Sequence, residues 1–155
     1  MIYGLLNLLE DYRIVFYLCL LLHFIADFSL QGILGKLKQK GFWSNHANFN
    51  DEPVECRAKW CDGFYHHDWV PCLFAHSMMW SVFTFLPLLF LQNCEGQFWR
   101  RAFELTVLAN ALVHAVVDDL KCNRYKINLA VDQLIHLLQI FLTIGVWLVV
   151  MGVRS

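Results

Sequence analysis

The sequence predicts an all-α fold: a polytopic membrane protein built as a four-transmembrane-helix bundle with a long first loop. Three observations carry this. The chain of 155 residues is 58% hydrophobic and only 16% charged, whereas soluble domains carry about 25% charged residues. Its apolar residues fall into four runs, each close to the roughly 20 residues a helix needs to cross the hydrocarbon core. His and Asp recur inside those runs at helical spacing, where ionisable groups are expensive and mark a site.

The length fits a single membrane domain, 1–155. A net charge of −1 excludes the basic surface that nucleic-acid binding requires. Of the six cysteines (Cys19, Cys56, Cys61, Cys72, Cys94 and Cys122), three lie in or beside apolar runs, so they do not form a secreted disulfide framework. The first ten residues lack a basic n-region and lead into Glu10 and Asp11. The first apolar run is therefore expected to stay as a membrane anchor.

Span one is expected at 12–30, carrying His23 and Asp27 near its end and Cys19 one turn earlier on the same stripe. Cys19 reads as a small core residue. Gln31 continues the stripe. Loop one, 31–69, opens with Lys36, Lys38 and Lys40, which suits a short interfacial helix. Its later part is rich in Trp43, Trp60, Tyr65, His66, His67 and Trp69, an interfacial aromatic belt. Cys56, Cys61, His66, His67 and Cys72 resemble a zinc knuckle only weakly, because the spacing is loose. Free thiols beside interfacial histidines are the simpler reading. Span two, 70–92, has Pro71 in its first turn, His76 near its start, and Pro87 as a kink site. Span three, 99–121, is entered past Arg100, Arg101 and Glu104. Span four covers 131–152.

Four spans put both termini on one side. Loops one and three share the other side and carry most of the Lys and Arg. The positive-inside rule then places those loops in the cytoplasm of a bacterial inner membrane.

The polar residues agree in depth. His23 and Asp27 close span one, His76 opens span two, His114 and Asp118 close span three, and Asp132 and His136 open span four. Residues at i and i+4 share a helix face, so these seven converge as candidate metal ligands. Imidazole and carboxylate suit Zn first, with Mn or Fe next, and the set is large enough for one or two ions. Gln31, Asn110, Asp119 and Gln133 are candidate outer partners that orient ligands. Asp119 lies about 100° round the helix from Asp118, so at most one of the two faces the centre. Lys121, at the rim, is a candidate catalytic residue together with Asp118, as an anion clamp beside a general base. The competing reading is an interhelical polar network that only holds the bundle together.

Four blocks, H-F-I-A-D-F-S-L-Q at 23–31, A-H-S around His76, H-A-V-V-D-D-L-K at 114–121 and D-Q-L-I-H at 132–136, resemble the bacterial and phage membrane-protein family filed as domain of unknown function 3307 (DUF3307). The resemblance covers nearly all the chain except the Cys/His-rich part of loop one, and the family name implies no activity. A looser likeness to small inner-membrane metal-dependent hydrolases is one of analogy. The expected function is a membrane-embedded metal-dependent hydrolase acting on a lipid-linked or amphipathic phosphoester. The alternatives are a metal or ion transporter and a non-enzymatic protein with a structural His/Asp network. A bis-His haem bundle is disfavoured by the Asp partners.

Overall fold

The apolar runs fold as helices in the computed structural model, which describes residues 2–44, 65–91 and 96–154; no strand occurs among the described residues. Cys56, Cys61, Trp60 and Cys94 lie outside them.

Helix α1 runs Ile2–Phe24 and passes into a π-helical turn, Ile25–Ser29. It begins ten residues before the predicted span. The charges at Glu10 and Asp11 interrupt the hydropathy but not the helix, and the apolar stretch itself starts at Tyr12. Two short helices follow, α2 (Leu34–Leu37) and α3 (Lys40–Ser44). Helix α4, Trp69–Phe85, has Pro71 in its first turn, where no i−4 carbonyl awaits its missing N–H. It gives way to a 3-10 turn at Leu86–Phe90 because Pro87 cannot donate to the α-helical ladder. Helix α5 is Gln97–Cys122, entered through Gly96 at φ 96°, a conformation that favours glycine. Helix α6 is Leu129–Arg154, and its first turn is capped by Asn128, whose Oδ1 accepts the Val131 N–H at 3.0 Å.

Three stretches are long and apolar enough to cross a membrane: Tyr12–Ser29, Trp69–Phe90 and Leu129–Val150. Helix α5 is not among them, since Arg100, Arg101 and Glu104 crowd one end and Asp118, Asp119 and Lys121 the other. The outside of the bundle is nonetheless apolar. Leu21, Leu105, Leu112, Val116, Leu134, Phe141 and Val146 are all more than half exposed. Such a surface suits lipid rather than water.

Inside, the bundle divides along its length. Tyr12, Val15, Trp80, Phe85, Leu88, Trp99, Ile140, Ile144 and Trp147 form one apolar core. The polar residues gather at the end where α5 stops and α6 starts. Helices α4 and α5 pack through small residues: Ser77, Ser81 and Ala111 are fully buried, and Ser81 Oγ donates to Val107 O at 2.8 Å. Without a hydrophobic drive between helices in lipid, close approach of this kind is what holds a pair together.

Candidate metal centre

Six side chains, from the π turn, α4, α5 and α6, bring ligand atoms together: Asp27, His76, His114, Asp118, Asp132 and His136. All are buried, and they form overlapping triads whose ligand atoms lie within 4.8 Å of one another: Asp27/His76/His114, His114/Asp118/His136 and Asp27/Asp132/His136. Such groups can hold a metal ion.

The tightest part is a triangle. His76 Nε2 lies 3.3 Å from His114 Nε2 and 3.2 Å from Asp118 Oδ2, and His114 Nε2 lies 3.5 Å from the same oxygen. Tetrahedral ligands on zinc-length bonds are separated by about 3.3 Å. Asp27 Oδ1 stands 3.9 Å from His76 Nε2 as a further donor. On the α6 side, His136 Nε2 lies 3.3 Å from Asp132 Oδ1. Neither His136 nitrogen has a hydrogen-bond partner among the described residues, nor do His114 Nδ1, Asp118 Oδ1 and Asp132 Oδ1. Two of these atoms keep ion-pair distances only, Asp118 Oδ1 to Lys121 and Asp132 Oδ1 to His136; buried polar atoms are nearly always hydrogen-bonded, so several without such a bond in one place call for an explanation.

The rings are held by stacking. His114, Trp80 and His136 form a three-ring cluster, with His114 stacked near Trp80 (centroids 4.1 Å apart, 18°) and His136 (4.2 Å, 27°), and Trp80 5.3 Å from His136. Trp80 also donates its indole N–H to His23 Nδ1 at 2.9 Å. With that nitrogen accepting, His23 Nε2–H donates to Gln133 Oε1 at 3.1 Å. Gln133 Nε2 then donates to Asp27 Oδ2 at 2.6 Å and to Asp132 Oδ2 at 3.1 Å, and Gln31 Nε2 to Asp27 Oδ1 at 2.8 Å. Gln31 and Gln133 thus stand where outer partners were expected.

His23 does not reach the converging atoms. Asp27 lies in the π turn at 25–29, closed by Leu30 N–H to Ile25 O, and protein partners take both His23 nitrogens. Two expected outer partners also lie elsewhere. Asn110 sits one turn deeper, where its Oδ1 accepts from Gln139 (2.8 Å) and Thr143 (3.0 Å). Asp119 faces away and accepts from Arg124 Nε (2.6 Å) and Asn123 Nδ2 (3.1 Å), tying off the helix end.

Three contributors escape the sequence reading: Lys38, Trp80 and Asn123. Lys36 and Lys40 are exposed, as an interfacial helix requires, but Lys38 is only 2% exposed. Its Nζ donates to Asp118 Oδ2 at 2.5 Å and to His76 Nε2 at 2.9 Å. Asn123 holds the segment in place, donating to Lys38 O at 3.3 Å and accepting Lys40 N–H at 2.7 Å. Lys121 is 18% exposed at the rim, 2.5 Å from Asp132 Oδ2 and 3.4 Å from Asp118 Oδ1. Three carboxylates therefore face two ammonium groups. Trp80 carried a signal, being four residues after His76 on one stripe. Lys38 carried none, since nothing local separates it from Lys36 and Lys40.

No family model, curated protein or solved structure matches this chain.

Proposed function

We propose that the chain is a four-span membrane protein whose His/Asp cluster binds divalent metal, zinc first, and hydrolyses a phosphoester of a lipid-linked or amphipathic substrate. The observation that carries the metal reading is the triangle of His76 Nε2, His114 Nε2 and Asp118 Oδ2. Its three atoms lie 3.2 to 3.5 Å apart, about the separation of ligands on one zinc-sized ion.

Helix α5, the predicted span three, completes the four. Between Glu104 and Asp118 it carries no charge, and Leu105, Leu108, Leu112, Val113 and Val116 all face outward. A helix of 26 residues is about 39 Å long, enough to cross with its arginines snorkelling to the interface. All four spans then set the cluster at one membrane face, the one shared by loops one and three, and the excess of Lys and Arg in those loops supports a cytoplasmic side. That level suits a headgroup rather than an acyl chain.

Six ligands divide between two positions, His76/His114/Asp118 and Asp27/Asp132/His136, so the set serves one ion or two. A divalent ion acidifies water and neutralises phosphate oxygens when bound. The chain supplies the rest. Lys121, the most open cation of the cluster, meets anionic charge at the rim, and Asp118, reached from both sides of the site, serves as ligand or base. His23 acts through Gln133, which aligns Asp27 and Asp132. The resemblance to DUF3307 fits this reading, because its blocks contain all six ligands.

A second reading has its own observation. Lys38 on Asp118 and Lys121 on Asp132 are ready-made counter-ions, so the cluster can also stand as a metal-free network that fastens the helices. Elemental analysis of detergent-purified protein beside a His114→Ala/Asp118→Ala variant separates the two. Near-stoichiometric zinc, manganese or iron, lost in the variant, with chelator-sensitive hydrolysis of a lipid phosphate, is the expected result. Protein that stays metal-free after reconstitution with each ion sinks the hydrolase and leaves the network.

A further inference from the structure

Lys38 and a metal ion compete for the same lone pair. An imidazole nitrogen has only one. While the Lys38 ammonium donates into His76 Nε2 at 2.9 Å, no ion coordinates there, and the same ammonium lies 2.5 Å from Asp118 Oδ2. Two of the three corners of the triangle are thus contested by a cation the chain itself carries.

That cation rides on a tethered strap. Lys38 follows the last residue of α2. Its carbonyl and the Lys40 N–H are both gripped by Asn123, at the end of the helix that carries Asp118, and Trp43 Nε1 donates to Leu37 O at 2.6 Å. The strap is entered through Gly32 at φ 45°, where other residues are strained. A lysine side chain has enough rotatable bonds to withdraw from the triangle without unseating these backbone contacts.

We propose, resting on the metal reading above, that Lys38 is the specificity-determining residue of the centre: an internal competitor that an incoming ion must displace. Displacement is repaid only by an ion that gains strongly from imidazole. Zinc and its neighbours do so, whereas magnesium and calcium prefer oxygen and leave the lysine seated. Lys38 thereby keeps the abundant hard cations out of a carboxylate-rich site.

The test uses the whole protein in detergent micelles, chelator-stripped and then given Zn2+ or Mg2+ at equal concentration. Bound metal is measured in the same samples that are briefly acylated with an amine reagent. Mass spectrometry reads Lys38 against the exposed Lys36 and Lys40. Lys38 starts protected. Zn2+ raises its acylation about tenfold relative to its neighbours, and Mg2+ leaves it unchanged. Lys38→Met binds Zn2+ about tenfold tighter than wild type, because a charge-assisted competitor is gone, and gains measurable Mg2+ binding. Zinc bound to wild type with Lys38 still protected overturns the proposal, as does weaker zinc binding by Lys38→Met. Should that variant fail to fold, the wild-type acylation decides alone. If wild type binds no zinc at all, the metal centre itself has failed, which the metal measurement shows separately, and this role for Lys38 falls with it.

Discussion

Replacing Asp118 by Asn is nearly isosteric and takes one negative charge from the most crowded point of the bundle. Asp118 is fully buried, and its Oδ2 faces Lys38 at 2.5 Å, His76 at 3.2 Å and His114 at 3.5 Å. Lys38, only 2% exposed, would keep its charge with no carboxylate to meet it. Breaking a buried pair by removing one partner costs about 3–5 kcal/mol. Asp132→Asn is the matched control, because Lys121 keeps Asp118 Oδ1 at 3.4 Å and, being 18% exposed, can also turn to water, which holds the loss to about 1–2 kcal/mol. Reversible SDS unfolding in mixed micelles, with chelator throughout and helicity as the signal, measures both. The double variant Lys38→Met/Asp118→Asn closes a cycle. Removing both charges should recover most of the loss, with a coupling of about 2 kcal/mol or more. Asp118→Asn proving no worse than Asp132→Asn, or a double variant costing the sum of the singles, would show that Lys38 is not seated on Asp118.

Three further outcomes follow from other contacts. Trp80→Phe keeps a ring against His114 but removes the N–H given to His23 Nδ1, leaving a buried acceptor and a loss of about 1–3 kcal/mol in the same assay. Ser81→Leu forces α4 and α5 apart where Ser81 Oγ meets Val107 O, costing about 1–3 kcal/mol or more, while Val116→Leu on the exposed face of α5 stays within about 0.5 kcal/mol. Asn123→Ala deprives the Lys40 amide of its acceptor; hydrogen exchange across the strap should rise about fivefold there, for a contact worth about 1 kcal/mol.

The helix pairs were legible wherever both partners sit on one regular helix. His114 with Asp118 and Asp132 with His136 follow from the 3.6-residue period, and each pair turns inward together. His23 and Asp27 have the same spacing and are both buried, but Trp80 and Gln133 take both His23 nitrogens, so only Asp27 joins the ligand atoms. Asn110 lies one turn deeper than His114, the level its spacing implies, but its partners there are Gln139 and Thr143 and not the ligands. Lys38 was out of reach of pattern reasoning: its partner Asp118 is 80 residues away in sequence, and α2 has only four residues, too few for any period to show which lysine turns in.

In helix α5, average hydropathy and the character of the outer face part company. It is the least apolar of the long helices because Arg100, Arg101 and Glu104 at one end and Asp118, Asp119 and Lys121 at the other add to the polar His114 and Asn110, yet its outer face is leucine and valine. In lipid, apolar contact between helices gains little over contact with lipid tails, so the bundle leans on close small-residue packing and on polar pairs. On the metal reading proposed above the cluster would carry two duties at once: the ion pairs of Lys38 and Lys121 fasten the helix ends, and the same carboxylates would serve as ligands. Those duties conflict at Asp118 and His76, where an ion that coordinates must unfasten Lys38. A chain under that conflict should gain less stability from metal than its ligand count suggests. Zinc should therefore raise the unfolding midpoint of Lys38→Met, which has no ion pair to give up, by more than that of wild type. Equal shifts in the two proteins would mean that metal and lysine do not meet at the same atoms.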